Sequence, residues 1–327
     1  MKKSIFLVFL LFFSFALVAC TQAGDKSELT LVRLNEVVRS VFYAPLYAAI
    51  ELGFFEEEGL EIELQTGNGA DRSMIALISG SADIGLMGTE AAIYVYNEGR
   101  QDHAKIFAQL TQRAGNFLVS REYIPYFTWN DVKGKTIIGG RPGGMPQMVL
   151  EYVLYLHGIV PSQDVDIITN LAFTTTAGAF VGGIGDFTAE FDPAALEIEN
   201  AGVGYVVTGL ANYTDILPYT VFMANISFIQ NNIEVIQGFS DAIARGKAWV
   251  NNSSIENIAY TISGFFPHNS LEDLVLITQR YKNQDTWGST TKISPDGFYL
   301  LQEIMLHGGE ISEVIDFDTL IDDSFFN

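Results

Sequence analysis

The sequence predicts an α/β protein of two lobes, each a mostly parallel sheet flanked by helices. Three observations carry that expectation. From Leu29 onward short strand-like segments alternate with helical ones, the pattern that builds parallel sheets covered by helices. The alternation then starts afresh at "KTIIGG", residues 135–140. Finally, "SGSADIGLMGTEAA" (79–92) and "GGIGDFTAEFDPAA" (182–195) align without a gap, matching Gly80 with Gly183, Asp83 with Asp186, and Ala91-Ala92 with Ala194-Ala195. Each copy reads as a helix ended by glycine, an aspartate at a strand start, a few strand residues and a helix cap.

The first pass opens on "LTLVRL" (29–34), a short apolar strand, followed by a helix from Pro45 to Leu52 that Gly53 ends. "LEIEL" (60–64) alternates apolar with acidic residues, as a half-buried strand does. Residues 70–79 put Met74, Leu77 and Ile78 on one helical face. "ADIGLM" (82–87) is a strand of small residues, 89–98 a helix capped by Thr89, and "AKIFAQL" (104–110) a strand. The second pass runs through a helix over 146–157, strand "VDIIT" (165–169), a helix over 174–181 and strand "DFTAEF" (186–191). A helix from 193 follows, with Asp192 as cap and Pro193 in its first position, and then strand "YVVTGL" (205–210). Beyond "YTVFMAN" (219–225) the chain reads as helical over 229–250, 254–264, 270–283 and 294–307.

Ahead of this body lie Met1-Lys2-Lys3-Ser4 and the uncharged run "IFLVFLLFFSFALVA", ending at Cys20, the only cysteine of the chain. A basic start, a short apolar run and small residues at its end describe a secretory signal, and the run is shorter than a bilayer-spanning helix requires. Leu17-Val18-Ala19-Cys20 resembles the bacterial lipobox, which implies that residues 1–19 are removed and Cys20 is lipidated. Residues 20–28 then form an anchor and polar tether, and the protein works at the extracytoplasmic face of the cell membrane.

Without that leader the charge moves from −21 to −23, a field that repels nucleic acid and anionic lipid faces. The four histidines are scattered and no second thiol exists, so neither a disulfide nor a metal site is expected. No Ser-His-Asp, paired-acid or metal constellation stands out either, which argues against an enzyme.

"YAAIELGFFEEEGLEIEL" (47–64), "SGSADIGLMG" (79–88) and "WNDVKGKTIIGGRPGG" (129–144) resemble the solute-binding proteins of ABC importers for thiamine pyrimidine precursors, alkanesulfonates, taurine and nitrate. The resemblance implies a type II periplasmic-binding clamshell. Its first lobe comprises roughly 29–112 plus 226–327, its second 113–225, with hinges near "LTQRAG" (110–115) and "YTVFMAN". It also implies a small-molecule ligand without cofactor, a permease with its ATPase as partner, and a monomer. The motif residues have plain physical work as well. Gly53 and Gly59 permit positive φ at chain reversals, Phe54 and Phe55 read as core wedges, and Asp83 and Asp186 as turn residues. An enzyme of the same superfamily makes the thiamine pyrimidine from its own histidine and pyridoxal phosphate, but its cysteine-rich motif is missing here. A lipoprotein sensor is the remaining alternative.

In open α/β sheets ligands bind beyond the carboxyl ends of strands. On that rule the first lobe offers Arg39, Ser40 and Tyr43 after its first strand, Asn68 after the second, Thr89 and Glu90 after the third, and Gln109, Gln112 and Arg113 at the fourth. The second lobe offers Arg141, Gly143, Gly144 and Met145, Phe173 to Thr175, then Glu190, Phe191 and Asp192. The glycine-rich 139–144 loop lacks the Gly-Lys-Ser/Thr ending of a phosphate-binding P-loop, yet can turn N–H groups toward a ligand oxygen. Tyr43 and Phe191 suit the two faces of a flat ring. Arg39, Arg113 and Arg141 suit a small anion, against which Glu90 and Glu190 weigh. The favoured ligand is an aromatic heterocycle such as a pyrimidine or other vitamin precursor, the alternative a sulfonate, taurine or nitrate.

Overall fold

A computed structural model describes residues 29–327, so Cys20 and the expected leader and tether lie outside the described residues. Among the described residues ten strands form two five-stranded sheets. The first holds β1 (Thr30–Glu36), β2 (Leu60–Thr66), β3 (Ile84–Met87), β4 (Ala104–Thr111) and β10 (Thr220–Asn225), in the order β2-β1-β3-β10-β4. The second holds β5 (Asn116–Ser120), β6 (Thr136–Ile138), β7 (Asp166–Ile168), β8 (Phe187–Phe191) and β9 (Tyr205–Gly209), in the order β7-β6-β8-β5-β9. The two layouts match strand for strand. In each sheet β1/β2/β3 or β6/β7/β8 pair in parallel, and one strand, β10 or β5, runs against both its neighbours.

Those two reversed strands are the first elements after the chain crosses between sheets, β4 into β5 and β9 into β10. The crossings lie at the carboxyl ends of the other strands. A chain arriving there must run backward along the sheet it joins. β5 was absent from the sequence expectation because "NFLVS" is short and sits directly behind the expected hinge.

Local chemistry explains why these segments take their places. β2 is an edge strand with one wet face, and its residues alternate between buried and exposed positions. β3 lies between β1 and β10 and is buried throughout. The helix Ala44–Glu51 crosses the long helix Ile233–Asn252 at Gly246, where any side chain would collide with the Pro45 carbonyl oxygen. Gly53 and Gly59 take φ of 74° and 76°. Phe55 is fully buried against Phe239, whereas Phe54 is half-buried beneath the Arg245 guanidinium.

Both caps differ from the sequence expectation. Pro193 takes the cap position of the helix Ala194–Asn200, with Asp192 one residue ahead accepting the Leu196 N–H at 3.0 Å, and Gly88 takes the cap position of the helix Thr89–Asn97. The Thr89 hydroxyl instead donates to the Pro218 carbonyl at 2.6 Å, because the returning chain before β10 presents a closer acceptor. The helices Leu271–Asn283 and Pro295–His307 extend from the first sheet to the second lobe, where Arg280 pairs with Asp192 and Glu199, and His307 packs on Tyr155. Among the described residues no helix is long and apolar enough to cross a membrane.

Candidate functional site

The carboxyl ends of β1, β3, β6 and β8 converge on a cavity of about 570 Å³ between the lobes. That size suits a small organic molecule. Its walls are largely apolar. Val37, Val38, Tyr43, Met74, Ile75 and Tyr219 come from the first lobe, and Pro142, Met145, Pro146, Phe173 and Phe191 from the second. Aromatic rings are grouped on one side, where Phe191 lies 6.0 Å from Phe173 and 6.4 Å from Tyr219, centroid to centroid.

Three polar contacts join the lobes across this cavity, all through the loop ahead of the helix Met145–Leu156. Arg141 pairs with Asp71 at 2.6 Å, the Tyr94 hydroxyl donates to the Gly143 carbonyl at 2.8 Å, and the Met145 N–H reaches Glu90 Oε1 at 3.4 Å. Gly143 sits at φ 71°, a conformation that keeps its carbonyl turned toward Tyr94 and that glycine adopts without strain. Burial works to raise the Asp71 carboxyl, but the hydrogen bond and charge of Arg141 outweigh it and hold the group below its usual value.

Glu90 is the buried acid of the cavity. It lies in the first turn of its own helix and faces the N-terminus of the helix from the other lobe, two positive dipole ends that favour a carboxylate. Burial outweighs that help and the hydrogen bonds from the Glu90 and Met145 backbones, pushing the carboxyl up to about 7. Its Oε2 has no partner. The carboxylate folds back over Gly88, where a Cβ would collide with it, so the missing side chain at that position makes room for the acid.

Of the residues expected at the site, Tyr43, Glu90, Arg141, Gly143, Gly144, Met145 and Phe191 line the cavity, as does Phe173. The others lie elsewhere for identifiable reasons. Arg39 is taken up by the buried Glu36 at 2.7 Å and lies over the rings of Tyr47 and Phe265. Ser40 donates to the Asp192 carbonyl at 2.5 Å and so stitches one lobe to the other. Asn68 takes φ 58° in a tight loop of which Gly69, its neighbour, forms the cavity wall. Thr89 is held by Pro218. The Gln109 carbonyl accepts from the buried Lys247 at 3.0 Å, Gln112 bonds Asp285, and Arg113 donates to the Thr214 carbonyl at 2.9 Å. Glu190 and Phe191 are successive strand residues and therefore point to opposite faces. Phe191 meets the cavity, while Glu190 is buried between the hydroxyls of Thr176 and Thr188 and is pushed up to about 7 by that burial. Asp192 is committed to the Leu196 N–H and Arg280.

Sequence reasoning overlooked Asp71, Met74, Tyr94, Tyr219 and Glu310, all of which line the cavity. Asp71, Met74 and Tyr94 lie on the helices just after the expected loops, and long helical side chains lean toward the N-terminus, back over those loops. That rule was the available signal for them. Glu310 arrives from far along the chain and carried none.

Comparison with known proteins places this geometry. A family model described as NMT1/THI5-like matches residues 41–254. The binding protein YtlA, so named in Bacillus subtilis (strain 168), is 40% identical over 311 residues, covering 95% of this chain and 92% of that protein. Among solved structures, the alkanesulfonate-binding protein SsuA from Xanthomonas axonopodis pv. citri, bound to MOPS, aligns with a TM-score of 0.72 at 13% identity, over 91% of this chain and 99% of that one. The periplasmic nitrate-binding protein NrtA from Synechocystis PCC 6803 aligns with a TM-score of 0.63 at 19% identity, over 76% of this chain and 69% of that one. At such identities the structural likenesses establish a shared fold.

Proposed function

The chain belongs to the NMT1/THI5-like family, and from that premise we propose that it is the solute-binding component of an ABC importer, not an enzyme. It captures a small aromatic heterocycle, such as a thiamine pyrimidine precursor, between its lobes and delivers it to a permease driven by its ATPase. It does so outside the cytoplasm, held to the membrane through Cys20, with the lobe of β1–β4, β10 and residues 226–327 moving against the lobe of β5–β9; the expected boundary at 225 falls too late, because 220–225 is a strand of the first sheet.

The observation that carries the ligand class is the pairing of Arg141 with Asp71 at 2.6 Å. Arg141 is the one cationic side chain among the described residues of the cavity wall, and a carboxylate already answers it. A bare sulfonate or nitrate entering the cavity meets Glu90 and Glu310 and no free positive charge. A flat ring instead meets Tyr43, Phe191 and Tyr219, whose faces reward stacking beyond simple burial.

Native mass spectrometry of protein purified from its own host identifies the co-purifying molecule. An aromatic heterocycle is the expected result. A sulfonate or nitrate bound one to one, with Arg141 released from Asp71 in the complex, overturns the ligand class and leaves the importer role standing.

A further inference from the structure

Lys247 lies within the long helix Ile233–Asn252, is fully buried, and takes no part in the cavity. Its Nζ donates to the carbonyls of Gln109 and Leu110, both at 3.0 Å. Successive carbonyls of a regular strand point to opposite edges, so one amine meets two of them only where the strand is irregular. β4 is irregular at this point. β10 pairs Thr220 with Thr111 and Val221 with Gln109, which leaves Leu110 as an extra, bulged residue.

The bulge lies where both crossings between the lobes meet the first sheet. β4 ends at Thr111, one residue beyond it, and the returning chain enters β10 at Thr220. Backbone bonds fasten the crossings on this side. The Gln109 N–H reaches the Thr291 carbonyl at 2.8 Å, the Gln112 N–H the Thr286 carbonyl at 2.8 Å, and the Tyr219 N–H the Thr111 carbonyl at 3.2 Å. Lys247 supplies the matching answer to the two carbonyls that the bulge turns away from the ladder, which would otherwise be buried without a partner.

We propose that Lys247 is a positioning residue for lobe closure, gripping the bulge so that the lobes pivot at residues 112–115 and not within β4. The proposal rests on the reading that the lobes move about these two crossings. The grip does not use charge. A neutral amine has two N–H groups, one for each carbonyl, whereas the third N–H of an ammonium has no acceptor among the described residues. Burial lowers the amine to about 7, and Asp285, in the loop that follows the helix Leu271–Asn283, is the one charge that opposes this. Asp285 is itself bonded by Gln112. The other neighbouring cations are engaged elsewhere, Arg245 on Glu57 and Lys282 on the Val250 and Ser253 carbonyls. An amine released to water regains its ordinary affinity for a proton, so the grip weakens as pH falls toward 7.

Hydrogen exchange read by mass spectrometry tests this without a ligand, on peptides covering 109–116 and 217–221. Lys247→Met keeps most of the bulk and loses both donors. In that variant these peptides should lose at least about tenfold in protection, the cost of stranding buried acceptors. In the unaltered protein their protection, corrected for intrinsic exchange, should rise about tenfold per pH unit from about pH 7 to 8.5, and in the variant it should stay level. A lower urea midpoint with unchanged exchange in these peptides makes Lys247 a core residue only; it overturns the proposal and leaves the hinge reading in place. Exchange in these peptides as slow as in β3 throughout overturns both. Should the variant not fold, the pH series on the unaltered protein decides, and a flat profile overturns the proposal.

Discussion

Asp83 and Asp186 hold equivalent posts in the two sheets. Asp83 Oδ2 accepts the Arg33 backbone N–H at 2.9 Å, and Asp186 Oδ2 accepts the Thr136 N–H at 2.9 Å. Each aspartate N–H returns a bond of 2.8 Å to the carbonyl of the same residue. The aspartates thus tie the third strand of each parallel triplet to its first, ahead of the register that pairs Leu34 with Ile84 and Ile137 with Phe187. Register set at this end places Glu90 and Phe191 at the other.

Asp186→Ala is therefore expected to lower stability by about 1–2 kcal/mol, the cost of stranding one backbone donor. Asp83→Ala should lose at least as much, since its carboxylate also holds the partly exposed Arg33 guanidinium, a contact of small further worth. Urea unfolding measures both. A loss confined to ligand affinity, with unfolding unchanged, would assign these aspartates to the ligand instead.

The Arg141–Asp71 pair is about half exposed on both sides, at 44% and 48%, so breaking it should cost the fold no more than about 1 kcal/mol. Its expected effect is on the lobes. Arg141→Ala should expand the ligand-free protein in small-angle X-ray scattering, and saturating ligand should compact it again. Affinity for a heterocycle should change only slightly. Tyr43→Ala should do more harm through lost stacking, with circular dichroism checking that the variant is folded. The reverse order of damage in calorimetry moves the ligand to the anion class.

Stability should pass through a minimum near neutral pH. Burial pushes Glu90 and Glu190 up to about 7, and pushes Asp192 up to about 6 despite Arg280. Raised acid groups bind protons more readily folded than unfolded, so their contribution is complete below about pH 4 and is lost as pH climbs to about 7. Lys247 is opposite. Burial against the Gln109 and Leu110 carbonyls lowers it to about 7, so its contribution is present at high pH and is lost as pH falls through that value. Urea midpoints measured from about pH 4.5 to 9.5 should fall and then rise. Glu190→Gln should flatten the falling limb, and a monotonic profile contradicts the assignment.

Cys20→Ala tests the anchor. The variant should leave the membrane fraction or keep its leader uncut, whereas a processed protein still sedimenting with membranes rules out acylation at this thiol.

Strand and helix periods are local, and so the sequence by itself determined the two passes of strand and helix, apart from β5 and β10, and the Asp83/Asp186 correspondence. The Gly139–Met145 loop was legible for the same reason: a β-rich segment ending in glycines before Pro146 marks a strand's carboxyl end wherever the strand sits. Tertiary structure alone decided how those pieces meet. β5 and β10 run backward because the chain joins each sheet from the cleft side, which no local period records. The partner of Arg141 depends on how the second lobe faces Asp71, and that partner converts an apparent anion site into a neutral rim. Glu190 and Phe191 exchange roles on a single step of strand register, one turned into the lobe and the other into the cavity. Glu90 and Tyr219 are neighbours only because the antiparallel pairing of β3 with β10 brings together chain segments that the whole second lobe separates in sequence.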